Sequence, residues 1–179
     1  MNDRLPGDPS GAELIDRVLR VDHAGEYGAR RIYEGQLAVL GTSPSAPTLR
    51  HMAEQEGEHL KAFERWMVER RARPTVLLPV WHVAGFALGA ATALLGEHAA
   101  MACTVAVEEV IDEHYRGQIA SLPASERKLG EDLESFRQDE VAHRDTALAA
   151  GAEDAPAYPV LAAAIKGVSR LAIWLSERV

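Results

Sequence analysis

The chain has one cysteine in 179 residues, which excludes an intrachain disulfide and a thiolate metal cluster. That residue, Cys103, lies in the apolar run MACTVAV and reads as small core filler. Basic residues are also scarce: 19 Lys and Arg stand against 27 Asp and Glu, a formal charge of -8. The net basic face that nucleic-acid binding requires is therefore missing, and no nucleic-acid partner is expected. Aromatics make up only 6%. Period-two alternation is nowhere sustained, so no sheet is expected. The opening MNDRLPGDPSG has neither the basic start nor the apolar core of a secretory signal, which predicts an intracellular, reducing location. No Gly-rich dinucleotide fingerprint is found either.

What is present reads as helix. Residues 1–9 are expected to be a flexible N-terminus and residues 10–179 a single domain, a length that can bury a core. Ser10 followed by Glu13 has capping-box spacing, and a helix is predicted from there to Leu40, stopped by Gly41. A second runs over 47–71, between Pro47 and Pro74. Further helices are predicted over 97–121, 124–150 and 160–177, set off by Pro123, Gly151, Pro156 and Pro159. In the last, Leu161, Ile165, Val168, Leu171, Ala172 and Leu175 fall on one side, with Lys166 and Arg170 elsewhere. Residues 75–96 carry no Asp, Glu, Lys or Arg over 22 positions. Such a run is long enough for a bilayer core, yet Pro79, His82, Gly85, Gly89 and Gly96 suit a packed or membrane-surface crossover helix equally.

Glu-x-x-His occurs twice, as Glu56 with His59 and Glu140 with His143. Three positions apart on a helix, both side chains share a face and can reach one metal pair. The motif alone is weak: with 18 glutamates and 7 histidines, about 0.7 pairs arise by chance. Setting strengthens it. Glu56 shares a face with Leu49, Met52, Leu60 and Phe63, and Glu140 with Leu133, Phe136 and Ala147. An ionised carboxylate facing a core costs several kcal/mol unless paired or metal-bound. Glu26 supplies an inward carboxylate from the first helix, and Glu108 or its neighbour Glu109 one from the fourth. Glu56 follows Glu26 by 30 positions and Glu140 follows Glu108 by 32, as in a repeated helical hairpin. The predicted fold is thus all-α: a ferritin-like four-helix bundle with a hydrophobic crossover helix and a C-terminal amphipathic helix. Oxygen and nitrogen ligands without thiolate suit iron or manganese, with zinc a lesser choice.

The segments RVDHAGEYGARRIYEGQLAVLG, EQEGEHL, RPTVLLPVWHVAGFALGAATALLGEHAAMACTVAVEEVIDEHY, FRQDEVAHRD and LAIWLSERV together cover nearly the whole chain after residue 13. In these it resembles the demethoxyubiquinone hydroxylase (Coq7) family of ubiquinone biosynthesis. The resemblance implies two iron ions per chain held by Glu26, Glu56, His59, Glu108, Glu140 and His143. It also implies a membrane-associated monooxygenase that adds one hydroxyl to the quinol ring of a polyprenylated demethoxyubiquinol, using dioxygen and two reducing equivalents. The resemblance leaves the electron donor open, with NAD(P)H, directly or through a reductase, as the candidate. Other proteins of ubiquinone biosynthesis are candidate partners, and the expected location is peripheral, on the cytoplasmic face of the cell membrane, the inner membrane in a Gram-negative source. Tyr115 and His114 are candidates for contacting substrate or relaying a proton or electron; a packed tyrosine and an exposed histidine fit the same pattern. Asp112 and Asp139 are candidates for orienting the ligand histidines. Asp22 and His23 resemble family residues without an assigned role. Leu77, Leu78, Trp81, Phe86, Leu88, Leu94, Leu95 and Trp174 are the expected membrane or tail contacts. The rival classes are a ferroxidase or iron store with the same ligands, and a metal-free membrane-bound scaffold.

Overall fold

The computed structural model describes residues 10–179; the expected flexible segment 1–9 lies outside the described residues. Six α-helices follow one another: α1 Gly11–Leu40, α2 Ala46–Arg70, α3 Leu78–Leu94, α4 Glu97–Ser121, α5 Arg127–Ala149 and α6 Tyr158–Ser176. Among the described residues there is no strand. Local chemistry sets the ends. Ser10 Oγ accepts from the Glu13 amide while the Glu13 carboxylate accepts from the Ser10 amide, which satisfies two otherwise orphaned donors at the start of α1. Residues Ala124–Glu126 form a 3-10 turn rather than the first turn of α5, so that helix starts three residues later than predicted.

Helices α1 and α2 form one antiparallel hairpin and α4 and α5 a second, and the two pack into a four-helix bundle. Its interior has apolar ends and a polar middle. Ile15, Val18, Leu19, Phe63, Met67, Leu129 and Leu133 fill one end; Leu49, Met52, Met101, Val105 and Ala147 fill the other. Between them lies the layer of glutamates and histidines described below.

The uncharged segment yields a helix of only 17 residues, about 26 Å at 1.5 Å per residue. It lies along α1, and the contact is made by small residues. A Cβ at Gly89 would sit 1.9 Å from the Ile32 carbonyl oxygen, and one at Gly35 would sit 2.2 Å from that of Phe86. Backbone meets backbone there. Helix α6 is long and apolar enough to cross a membrane by length and composition, yet Lys166 and Arg170 pair with Glu109 and Glu113 of α4. Ala162 and Ile165 pack with Cys103, Ala106 and Val107. The packed side of α6 therefore differs from the predicted stripe: Val168 and Leu171 point outward, 58% and 55% exposed.

Candidate metal centre

Six side chains from four helices converge at mid-bundle: Glu26 from α1, Glu56 and His59 from α2, Glu108 from α4, Glu140 and His143 from α5. None is more than 4% exposed. Their ligand atoms fall into two quartets, each with all atoms within 4.8 Å of one another: Glu26, Glu56, His59 and Glu140, then Glu56, Glu108, Glu140 and His143. Glu56 and Glu140 belong to both. Two cations placed side by side would share these two carboxylates, and each would take one further glutamate and one histidine.

Both imidazoles turn Nδ1 inward. His59 Nδ1 is 3.0 Å from Glu140 Oε1 and 3.4 Å from Glu26 Oε2; His143 Nδ1 is 3.1 Å from Glu140 Oε2 and 3.3 Å from Glu56 Oε1. Their outward nitrogens are held from behind, His59 Nε2 by Asp139 Oδ2 at 3.1 Å and His143 Nε2 by Gln55 Oε1 at 3.0 Å. Two tyrosines hold the unshared glutamates. Tyr33 donates to Glu108 Oε1 at 2.9 Å, and Tyr115 donates to Glu26 Oε1. Burial pushes both phenols well above their ordinary range, so they remain donors.

Four carboxyls so close cannot all be ionised without compensation. Burial, reinforced by the neighbouring carboxylates, raises Glu56 and Glu108 well above the ordinary glutamate value. Burial works to raise Glu140 too, but its contacts with His143 and His59 outweigh that and hold it at about 2. His59 is the counterpart: desolvation is overcome by Glu140 and Glu26, which lift it to about 11.

The residues fit a pair of metal ions on a direct count of polar atoms. Glu26 Oε2, Glu56 Oε1, His59 Nδ1 and Glu140 Oε1 are buried without a well-formed hydrogen bond, although His59 Nδ1 lies within 3.4 Å of the Glu26 and Glu140 oxygens, and all four belong to the quartets. An unsatisfied buried polar atom costs about 1–3 kcal/mol. Bound dications would coordinate all four atoms at once, and a set of carboxylates and imidazoles suits iron or manganese.

The remaining candidates are placed differently. Tyr115 is fully buried and touches a quartet glutamate. His114 faces away from the quartets, with Nε2 3.5 Å from Asp22 Oδ1 and 2.9 Å from Gln118 Nε2, in the wall of a cavity of about 550 Å³ between α1, α4 and α6. Asp139 meets His59. Asp112, expected to orient a histidine, instead pairs with Arg137 at 2.7 Å and Arg116 at 2.8 Å. Glu109 pairs with Lys166 on the surface, while Glu108 is 2% exposed within the cluster. Tyr33 and Gln55 were not singled out in the sequence as site residues. Tyr33 had a signal, because it follows Glu26 by seven positions, as Tyr115 follows Glu108.

A second cavity, about 170 Å³ and almost wholly apolar, lies between α1, α3, α4 and α6. Its wall includes Gly25 and Val107, the immediate neighbours of Glu26 and Glu108. On the same two helices, Val80, Val83, Leu94 and Leu95 on or just after α3 and Val168, Leu171 and Trp174 on α6 are more than half exposed. Trp81 is tied down instead, its indole N–H donating to Ser176 Oγ at 3.0 Å and linking α3 to α6.

Known proteins are similar to this chain over most of its length. The family described as "Ubiquinone biosynthesis protein COQ7" matches residues 13–176. A "3-demethoxyubiquinol 3-hydroxylase" of Rhodospirillum rubrum is 61% identical over 178 residues, covering 99% of this chain and 84% of the relative. The human "NADPH-dependent 3-demethoxyubiquinone 3-hydroxylase, mitochondrial" is 54% identical over 168 residues, 92% of this chain and 77% of its own. The "5-demethoxyubiquinone hydroxylase, mitochondrial" of Saccharomyces cerevisiae is 42% identical over 185 aligned positions, 94% and 79% of the two chains. With its six-helix fold and two buried quartets, the chain belongs to the COQ7 family of ubiquinone biosynthesis proteins.

Proposed function

We propose that this chain is a di-iron monooxygenase that hydroxylates the quinol ring of a polyprenylated demethoxyubiquinol, consuming dioxygen, two electrons and two protons and releasing water. The observation that carries the reading is the pair of quartets sharing Glu56 and Glu140, with an apolar cavity lined by the chain neighbours of Glu26 and Glu108. Glu26, Glu56, His59, Glu108, Glu140 and His143 would hold two iron ions, which when bound supply the redox chemistry that activates dioxygen. The protein's own groups do the rest. Glu56 and Glu140 span the two positions, Asp139 and Gln55 fix the imidazoles, and Tyr33 and Tyr115 fix the terminal carboxylates. The apolar cavity accepts the ring and the first part of the tail and keeps water out. Tyr115 is the phenol nearest the Glu26 side of the centre, and His114 with Asp22 lies behind it toward the larger cavity.

A polyprenyl tail is almost insoluble in water, so its donor is a bilayer. The exposed apolar side chains of α3 and α6 suit peripheral docking on the cytoplasmic face of the cell membrane. Several relatives are named as NADPH-dependent, which favours a reduced nicotinamide as the source of electrons, directly or through a reductase.

Quinone profiling tests the reading. A strain lacking this protein should accumulate the demethoxy precursor, and the wild-type gene should restore ubiquinone where Glu140→Ala does not. Normal ubiquinone in the deletion strain would overturn it.

A further inference from the structure

The ligand set is nearly two-fold symmetric, and the groups behind its two histidines differ in charge. Glu26 corresponds to Glu108, Glu56 to Glu140, His59 to His143 and Tyr33 to Tyr115. The residue before each shared glutamate reaches across to the histidine of the other hairpin: Asp139, before Glu140, holds His59, and Gln55, before Glu56, holds His143. One is a carboxylate and the other a neutral amide.

The difference has chemical weight. With a metal bound at Nδ1, His59 would carry its one proton on Nε2, and a carboxylate behind the ring, which accepts hydrogen bonds and donates none when ionised, would hold that tautomer. The negative charge behind the ring also makes Nδ1 a stronger donor. A glutamine amide carries both an acceptor oxygen and a donor NH₂, so Gln55 enforces the metal-binding tautomer less strictly and adds no charge. The phenol on each unshared glutamate runs in parallel on the two sides.

We infer that the two metal positions are unequal, and that Asp139 makes the one formed with Glu26 and His59 the tighter. This rests on the two-metal reading above. Two dications sharing carboxylates repel each other, so a weaker second step in the wild-type protein decides nothing. The comparison is made one position at a time. Glu108→Gln leaves the position with Glu26 and His59 as the stronger remaining one, and Glu26→Gln leaves the position with Glu108 and His143. Anaerobic titration of the metal-free full chain with cobalt(II), followed by calorimetry and d–d absorption, should show tighter binding of the first ion in Glu108→Gln, by about 10- to 100-fold. Adding Asp139→Asn, which keeps the acceptor oxygen and removes the charge, should erase that advantage. Adding Gln55→Glu to Glu26→Gln should raise its affinity by a similar factor, a gain that a misfolded variant cannot mimic. Equal affinities in the two single variants overturn the inference, as does an equal loss from Asp139→Asn in both. Wild-type protein that binds no cobalt(II) overturns the two-metal reading itself.

Discussion

The phenol of Tyr33 on α1 donates a 2.9 Å hydrogen bond to Oε1 of Glu108 on α4, 75 positions further along the chain. Tyr115 on α4 returns the contact to Glu26 on α1. Each hairpin thus holds the other's unshared glutamate. Tyr33→Phe removes one buried donor and leaves an acceptor unpaired, a loss of about 1–3 kcal/mol. Urea denaturation of the metal-free protein should show a midpoint lowered to match, with the helical circular dichroism of the folded state unchanged.

Sharing of Glu56 and Glu140 predicts unequal stoichiometries. Glu56→Ala removes a ligand from both quartets, whereas Glu26→Ala removes one from a single quartet. Elemental analysis after iron loading should find two ions in the wild type, near zero in Glu56→Ala and about one in Glu26→Ala. Equal retention in the two variants would contradict a bridging role for Glu56.

Protonation makes the metal-free protein sensitive to alkali. Glu56 and Glu108 have raised folded-state values, so the folded state binds more protons than the unfolded one above the ordinary glutamate value of 4.5. His59, lifted from 6.5 to about 11, contributes in the same direction between those values. Stability from these groups is therefore full at low pH and is lost as pH rises. Glu140 runs the other way, but its contribution is lost only as pH falls from 4.5 through about 2. Thermal unfolding of the metal-free protein should show lower stability at pH 8 than at pH 5.5. Metal loading should reverse the trend, because coordination releases the protons that Glu56 and Glu108 carry.

The fold was largely legible in the sequence because Ser10, Gly41, Pro47, Pro123 and Gly151 punctuate it, and because Glu56 and Glu140 interrupt apolar stripes at helical spacing. What stayed illegible depends on neighbours that periodicity does not identify. Helix α4 is buried on nearly every side, so a stripe cannot separate Glu108 from Glu109; Lys166 on α6 does, by pairing with Glu109. Asp112 lies one turn beyond Glu108 and reads as facing the centre, but Arg137 of α5 captures it. The docked face of α6 follows its ion pairs to α4 rather than its most apolar side. Gln55 resembles any polar helix residue until His143 is found 3.0 Å away.

Peripheral docking predicts a charge-sensitive surface. Leu94 and Leu171 are exposed apolar side chains of α3 and α6, at 75% and 55%. The double variant Leu94→Glu, Leu171→Glu should bind phospholipid vesicles about tenfold or more weakly, since each buried leucine contributes about 1.5–3 kcal/mol. Co-sedimentation measures this, with iron content as the control that must not change.

The approach of α3 to α1 predicts an intolerant position. Gly89→Ala places a methyl carbon 1.9 Å from the Ile32 carbonyl oxygen. Backbone cannot yield as a side-chain tip does, so the cost should reach about 1–3 kcal/mol or more. Chemical denaturation should detect it readily, while Gly57→Ala, where a Cβ meets nothing, should be neutral or mildly stabilising.

That same crossing fixes which wall of the apolar cavity can yield. At Gly35 and Gly89 backbone meets backbone, so α3 has little room to slide along α1 there. Helix α6 is held by side chains alone: two solvent-accessible ion pairs, the packing of Ala162 and Ile165 on Cys103, Ala106 and Val107, and the Trp81–Ser176 bond. Of the two helices that wall the apolar cavity from outside the bundle, α6 is thus the one whose contacts can be loosened by changing rotamers rather than by moving backbone.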